Sequence, residues 1–195
     1  MFKLIIFDMD DTLLHLEVEW DKVKKELIQL AESKGIKTEK DKYIMKLTLD
    51  LSISNPELKK QVDEIYRRYE AECTKKKKYY VFEGMIQLIK DLKKKNHLIA
   101  ICSGNNSETI KEAFSDIGAL ENIDYVAGLN SVSKGKPDPE PINLILEKLN
   151  VKKEDTLFIG NSVWDEIAGK TAKVRTIIIK PNDADDIKKL RNLLL

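Results

Sequence analysis

Cysteine is scarce in this chain: Cys73 and Cys102 are the only two among 195 residues, and they lie far apart. Neither belongs to a metal-type cluster, and Cys102, at the end of an apolar run, reads as a small buried hydrophobe. A reducing compartment fits two free thiols, so a cytoplasmic location is expected. Excess charge of one sign is also missing. There are 34 Lys and Arg against 33 Asp and Glu, a formal net charge of +1. With no basic excess and no interleaving of aromatic and basic residues, nucleic acid is excluded as a partner, as is an anionic membrane surface. No apolar run approaches the length of a membrane span, and the first is too short for a signal-peptide core. No internal repeat is visible. The expected partner is a small molecule, and the expected state is a monomer or homodimer.

What is present is enough apolar residue, 42%, to build a core. The length permits one α/β domain with a sizeable insertion, or two small domains. Leu4 to Phe7 is too short for a helix and too apolar for a surface loop, so it reads as a buried strand. Residues 15–80 then read as a small helical bundle with no strand of its own. Trp20, Val23, Leu27 and Leu30 recur at helical steps up to Gly35. A second helix is expected from near Thr38, with Asp41 in a capping box. A third starts at Asn55-Pro56 and carries the stripe Leu58, Val62, Ile65, Tyr69 and Cys73. Lys75 to Lys78 reads as a solvated helix end or hinge, and Tyr79 and Tyr80 as a hinge on the way back.

From Tyr79 onward strands and helices alternate, which argues for a parallel sheet with helices on both faces. In such a sheet ligands bind beyond the carboxyl ends of the strands. The residues at those ends are chemical. Leu4 to Phe7 runs into Asp8-Met9-Asp10-Asp11-Thr12. Leu98 to Cys102 runs into Ser103-Gly104-Asn105, a hydroxyl and a turn of backbone N–H groups ahead of a helix, a recurrent way to hold a phosphate. Ile123 to Ala127 is followed by Lys136 between Gly135 and Pro137. Thr156 to Ile159 runs into Gly160-Asn161-Ser162, with Asp165 one turn later. Asp8 and Asp10 side by side call for a counter-charge, and a hard cation such as Mg2+ is the usual one.

These four motifs, in this order, resemble those of the haloacid dehalogenase superfamily, in its phosphatase branch with a helical cap of the first type. The resemblance covers the whole chain. It implies a Rossmann-like α/β core at residues 1–14 and 81–195, with a small all-helical cap at 15–80 inserted after the first strand. It implies Asp8 as the nucleophile that becomes an aspartyl-phosphate, and Asp10 as general acid and base. Ser103, Gly104 and Asn105 would hold the phosphoryl oxygens, and Lys136 would neutralise charge on Asp8 and the phosphoryl group. Mg2+ would be held by Asp8, the backbone carbonyl of Asp10, Asp165 and Asn161. Thr12 would orient the acid loop. The implied activity is Mg2+-dependent hydrolysis of a small phosphorylated metabolite. An acid at position 10 favours phosphate esters over carbon–halogen bonds.

The resemblance has two departures. Asn161 stands where most members carry Asp, which leaves Asp165 as the acidic anchor and lowers the expected Mg2+ affinity. Asp11 stands where Gly is frequent. Alternatives also stay open. A phosphomutase of the same fold would carry the same motifs, and Asn161 would suit a catalytically weakened, phosphate-binding regulatory protein. Asp165 could simply cap its helix, Asn161 could be a turn residue, and His15 is read as a polar residue near the cap. Trp20 reads as cap core. Trp164 fits either the pocket mouth or packing against the sheet.

Overall fold

Four apolar residues form strand β1 (Leu4–Phe7), and all four are fully buried. The computed structural model describes residues 2–38 and 43–195. After the acid loop, β2 (Leu14–Leu16) pairs antiparallel with β3 (Tyr79–Val81), Leu14 opposite Val81 and Leu16 opposite Tyr79. This ribbon is a correction to the expectation that residues 15–80 hold no strand. Three-residue strands are too short for period-two alternation to register in sequence. Between the two strands lies an insert of three helices, α1 (Trp20–Ser33), α2 (Ile44–Ser54) and α3 (Pro56–Lys75).

The start of α3 is as its sequence dictates. Pro56 occupies the first turn, and the Asn55 side chain accepts the backbone N–H of Glu57 at 2.8 Å. The Asp41 capping box lies outside the described residues, and α2 is described from Ile44. The buried stripe of α3 is Leu58, Val62, Ile65, Tyr66, Glu70 and Cys73. Tyr69, expected on that stripe, is only half-buried and donates its hydroxyl to Glu26. Lys76 and Lys77, from the predicted solvated run, pair at the surface with Glu72 and Asp116.

Beyond β3 come α4 (Glu83–Lys94), β4 (Leu98–Cys102), α5 (Ser107–Asp116), β5 (Tyr125–Ala127) and α6 (Glu140–Leu149). The chain ends with β6 (Thr156–Gly160), α7 (Val163–Ala172), β7 (Arg175–Ile178) and α8 (Ala184–Leu194). The main sheet has the order β5-β4-β1-β6-β7, and every pairing is parallel. Alternate side chains of β1 feed opposite faces. Ile5 and Phe7 join a core with Met85 of α4, Ile110 of α5 and Leu190 of α8, while Leu4 and Ile6 join Ile142 of α6 and Ala168 of α7. The result is the expected α/β sheet with helices on both faces. Because β1 is central, with β4 and β6 on either side, the loops after these three strands share one edge.

Candidate active site

A cavity of about 260 Å3 opens at that edge. Asp8, Asp10, Ser103, Gly104, Asn105, Lys136, Asn161 and Asp165 all line it, so the fold brings together every site residue expected from sequence. Trp20, Ile44 and Tyr66 of the insert form part of its wall, as does Trp164 of α7. Trp20 is therefore more than internal packing of the insert. It lies against Tyr66 with ring centroids 5.9 Å apart and faces the acids.

Lys136 is the hub. Its Nζ donates to Asp8 Oδ1 at 2.6 Å and to Asp165 Oδ1 at 2.5 Å, and all three side chains are buried. Burial works against the ammonium, but Asp165 and Asp8 outweigh it and hold its pKa above the usual lysine value. The two acids diverge. Burial, with the charges of Asp165 and Asp10, pushes Asp8 up to about 7 despite Lys136. Burial also acts on Asp165, but Lys136 and Ser162 overcome it and hold the group below the ordinary range.

Asp165 is fixed by its helix as well. It closes a capping box with Ser162: the Ser162 backbone N–H and hydroxyl donate to Oδ2 at 3.0 and 2.5 Å, and Asn161 N–H donates at 3.3 Å. The helix-cap reading of Asp165 thus describes one oxygen, and the other faces Lys136. Gly160 makes room for this: a Cβ there would lie 2.5 Å from Asp165 Cγ.

In the acid loop, buried Thr12 donates to Asp8 Oδ2 at 3.2 Å and its Oγ1 lies 3.4 Å from Asn161 Oδ1. Asp11 has φ +61°, the left-handed region that favours glycine and that Asp tolerates better than most residues. Asp10 Oδ1 accepts the backbone N–H of Leu16 at 2.8 Å, so β2 orients it. Burial lifts its pKa to about 6, against that hydrogen bond. His15 Nδ1 lies 2.8 Å from Asp11 Oδ1 and 3.8 Å from Asp10 Oδ1.

Ser103 Oγ donates to Asn105 Oδ1 at 2.8 Å and accepts the Asn105 backbone N–H at 3.3 Å. Gly128, after β5, lets this loop sit close, since a Cβ there would fall 2.7 Å from Asn105 O. Sequence reasoning missed Glu70, which reaches the same loop from α3 and is fully buried. Burial raises it to about 7 in spite of donors from Asn106, Thr109 and Asn105. The available signal was its spacing, one turn after Tyr66 and three residues before Cys73. Cys102 is inert, its buried thiol pushed up to about 12.

A family model described as haloacid dehalogenase-like hydrolase matches residues 5–179. The chain belongs to that family. It is 31% identical over 98 residues to the pyrophosphatase PpaX of Halalkalibacterium halodurans, covering 50% of this chain and 46% of that protein. It is 29% identical over 117 residues to an N-acetylmuramic acid 6-phosphate phosphatase of Pseudomonas putida, covering 60% and 52%. The chain thus spans about half the length of these relatives. In fold it is similar to CbbY from Rhodobacter sphaeroides in complex with xylulose-(1,5)bisphosphate, with a TM-score of 0.67 at 19% identity over 92% of this chain and 87% of that one.

For a haloacid dehalogenase-like hydrolase the test is whether these residues suit a divalent cation. Among the described residues around the cavity, Asp8, Asp10 and Asp165 face one ammonium, that of Lys136. Asp8 and Asn161 present side-chain oxygens on either side of Thr12. An all-oxygen donor set with surplus negative charge fits a hard divalent cation. Asp10, Asp11 and His15 also place ligand-type atoms within 4.8 Å of one another, but the His15–Asp11 contact already satisfies that group.

Proposed function

We propose that the protein is a Mg2+-dependent phosphatase that hydrolyses a small phosphate monoester through an aspartyl-phosphate on Asp8. The observation that carries this is Lys136 held between buried Asp8 and Asp165, in one cavity with Asp10, Ser103 and Asn161. Asp8 attacks phosphorus, the ester P–O bond breaks, and Asp10 gives its proton to the departing oxygen. Asp10 then takes a proton from a water that attacks phosphorus. The bond to Asp8 breaks, and inorganic phosphate leaves. A carboxyl raised to about 6 suits this exchange of roles. Lys136 and the Ser103–Asn105 loop offset phosphoryl charge. Mg2+ would be held by Asp8, the Asp10 carbonyl, Asn161 and Asp165, and would supply further positive charge.

In this reading residues 1–14 and 81–195 are the catalytic core, and residues 15–80 are a cap that covers the site and selects the leaving group. Trp20, Ile44 and Tyr66 give the cap side of the cavity a carbon-rich wall. Among the described residues lining this cavity Lys136 is the one cation, committed to Asp8 and Asp165, and Lys59, in the adjoining cavity that shares Tyr66 and Lys136, is paired with Asp63. Such a wall favours a neutral, ring-bearing leaving group, as in a sugar phosphate, over a second anionic group, as in pyrophosphate or phosphoglycolate. Two buried free thiols, and no described helix long and apolar enough to cross a membrane, are compatible with the cytoplasm.

The test is phosphate release with Mg2+ from a hexose 6-phosphate, pyrophosphate and phosphoglycolate. The hexose phosphate is expected to lead in kcat/KM by about tenfold or more, and Asp8→Asn should abolish turnover of all three. Activity that survives Asp8→Asn sinks the mechanism; a lead for pyrophosphate sinks the substrate class.

A further inference from the structure

Glu70 stands outside the groups the proposed reaction uses. It belongs to α3, on the insert, yet its carboxylate is buried in the core loop after β4. The backbone N–H of Asn106 donates to Oε2 at 2.8 Å, and the Asn106 side-chain amide donates to the same oxygen at 3.4 Å. Asn105 Nδ2 donates to Oε1 at 3.2 Å. Thr109 adds a side-chain hydrogen bond. Asn106 precedes α5 and does not cap it with its own side chain, so the start of α5 is capped by a carboxylate from the insert.

Asn105 turns its NH2 group to Glu70, which leaves Oδ1 to take the hydroxyl proton of Ser103 at 2.8 Å. Two hydrogen bonds thus carry geometry from α3 to Ser103, and all three side chains are buried. Buried, fully connected polar chains of this kind have few alternative arrangements.

We propose that Glu70 is a positioning residue: it fixes Asn105, and through Asn105 the hydroxyl of Ser103, so that the phosphate loop holds its binding shape only while α3 is seated on the core. The inference rests on the phosphatase reading, which puts the phosphoryl group at Ser103, and adds a link between the insert and phosphate affinity.

Inorganic phosphate with Mg2+, titrated calorimetrically below the melting range, is the probe. Glu70→Ala is expected to weaken phosphate binding about tenfold. In an Asn105→Ala background the same substitution should change affinity less than about twofold, because its route is already cut. A purely structural Glu70 would lower the melting temperature but leave phosphate affinity unchanged, or add independently to Asn105→Ala. Either result overturns the relay. Should Glu70→Ala not fold, hydrogen exchange of the Asn106 backbone amide in the parent protein decides. Coupling is reciprocal, so saturating phosphate should slow that amide by up to about tenfold relative to amides of α8, and an equal rate overturns the proposal. A parent that hydrolyses phosphate esters while failing these tests keeps its function and loses the relay. A parent that neither binds phosphate nor hydrolyses esters loses both.

Discussion

The two walls of the cavity at the sheet edge are made of different matter. The core wall is a set of charged and polar groups beyond the strand ends, each held by a named partner: Lys136 by Asp8 and Asp165, Asp165 by its capping box, Asp8 by Thr12. The wall supplied by the insert is Trp20, Ile44 and Tyr66, groups that offer area and shape. In the proposed function, chemistry common to all phosphate esters falls to the sheet, and choice among leaving groups to the helices. The two can then change separately. Polar contacts cross the divide, and two of them reach the site itself. The Leu16 N–H of the ribbon holds Asp10, and Glu70 holds the loop after β4. If the walls differ as described, damage to the core should strike every substrate, and damage to the insert should discriminate.

The largest effect is expected at Lys136. Lys136→Met keeps the length of the side chain and removes the charge, leaving Asp8 and Asp165 buried without their shared cation. Breaking a buried ion pair from one side costs about 3–5 kcal/mol, or roughly 10 °C in melting temperature for a chain of this size. Calorimetry of the metal-free protein measures it. kcat/KM should fall on the order of 10^3-fold for all esters alike. A loss that varies with the leaving group would mean that Lys136 contacts more than the phosphoryl end.

How much of this was legible follows the same divide. The core was readable because each strand is a short apolar run that stops at a chemical residue, and a parallel sheet leaves one edge for those residues to share. Even there Asp165 was read as either a site acid or a helix cap, since a carboxylate at the third position of a helix looks the same whether or not its second oxygen meets a lysine, and the structure shows the cap and the lysine together. In the insert, α1 and α3 announced themselves by spacing and by Asn55-Pro56. The ribbon did not, because the pairing of Leu14 with Val81 is a tertiary fact. Nor did Glu70. The steps Val62, Tyr66, Glu70, Cys73 and Val62, Ile65, Tyr69, Cys73 are equally helical, and apolarity alone selects the second. The first is the buried one because Asn105, Asn106 and Thr109 give the Glu70 carboxyl hydrogen-bond partners.

That charge sets a smaller, pH-dependent effect. Glu70 rises from an ordinary 4.5 to about 7 in the folded chain. Between those values the folded state binds the proton more tightly than the unfolded state. The stability from this group is therefore complete below pH 4.5 and is lost as pH rises through 7. The facing groups are Asn105, Asn106 and Thr109 on the core, with Tyr66 and Cys73 on α3. Burial raises the pKa of both Tyr66 and Cys73, so neither titrates in this range. Glu70→Gln has no such proton. Between pH 5 and 7.5 the melting temperature of the parent should fall relative to that of Glu70→Gln, by on the order of 2 kcal/mol or ~5 °C. A constant gap between the two melting curves would place the Glu70 pKa in the ordinary range.

The smallest effect is also the most selective. Trp20→Ala removes the ring that meets Tyr66 and faces the acids across the cavity, and it leaves every hydrogen bond of the core wall in place. For a hexose 6-phosphate kcat/KM should fall about tenfold, the scale of lost apolar contact with a leaving group. Acetyl phosphate, whose leaving group is too small to reach the ring, should lose less than about twofold. The ratio of the two rates is the measurement, since a general loosening of the fold would lower both together. An equal loss for both substrates would show that Trp20 acts through Tyr66 and the seating of α3. The aromatic wall would then be part of the machinery that holds the phosphate loop, and the division between the two walls would fail at its centre.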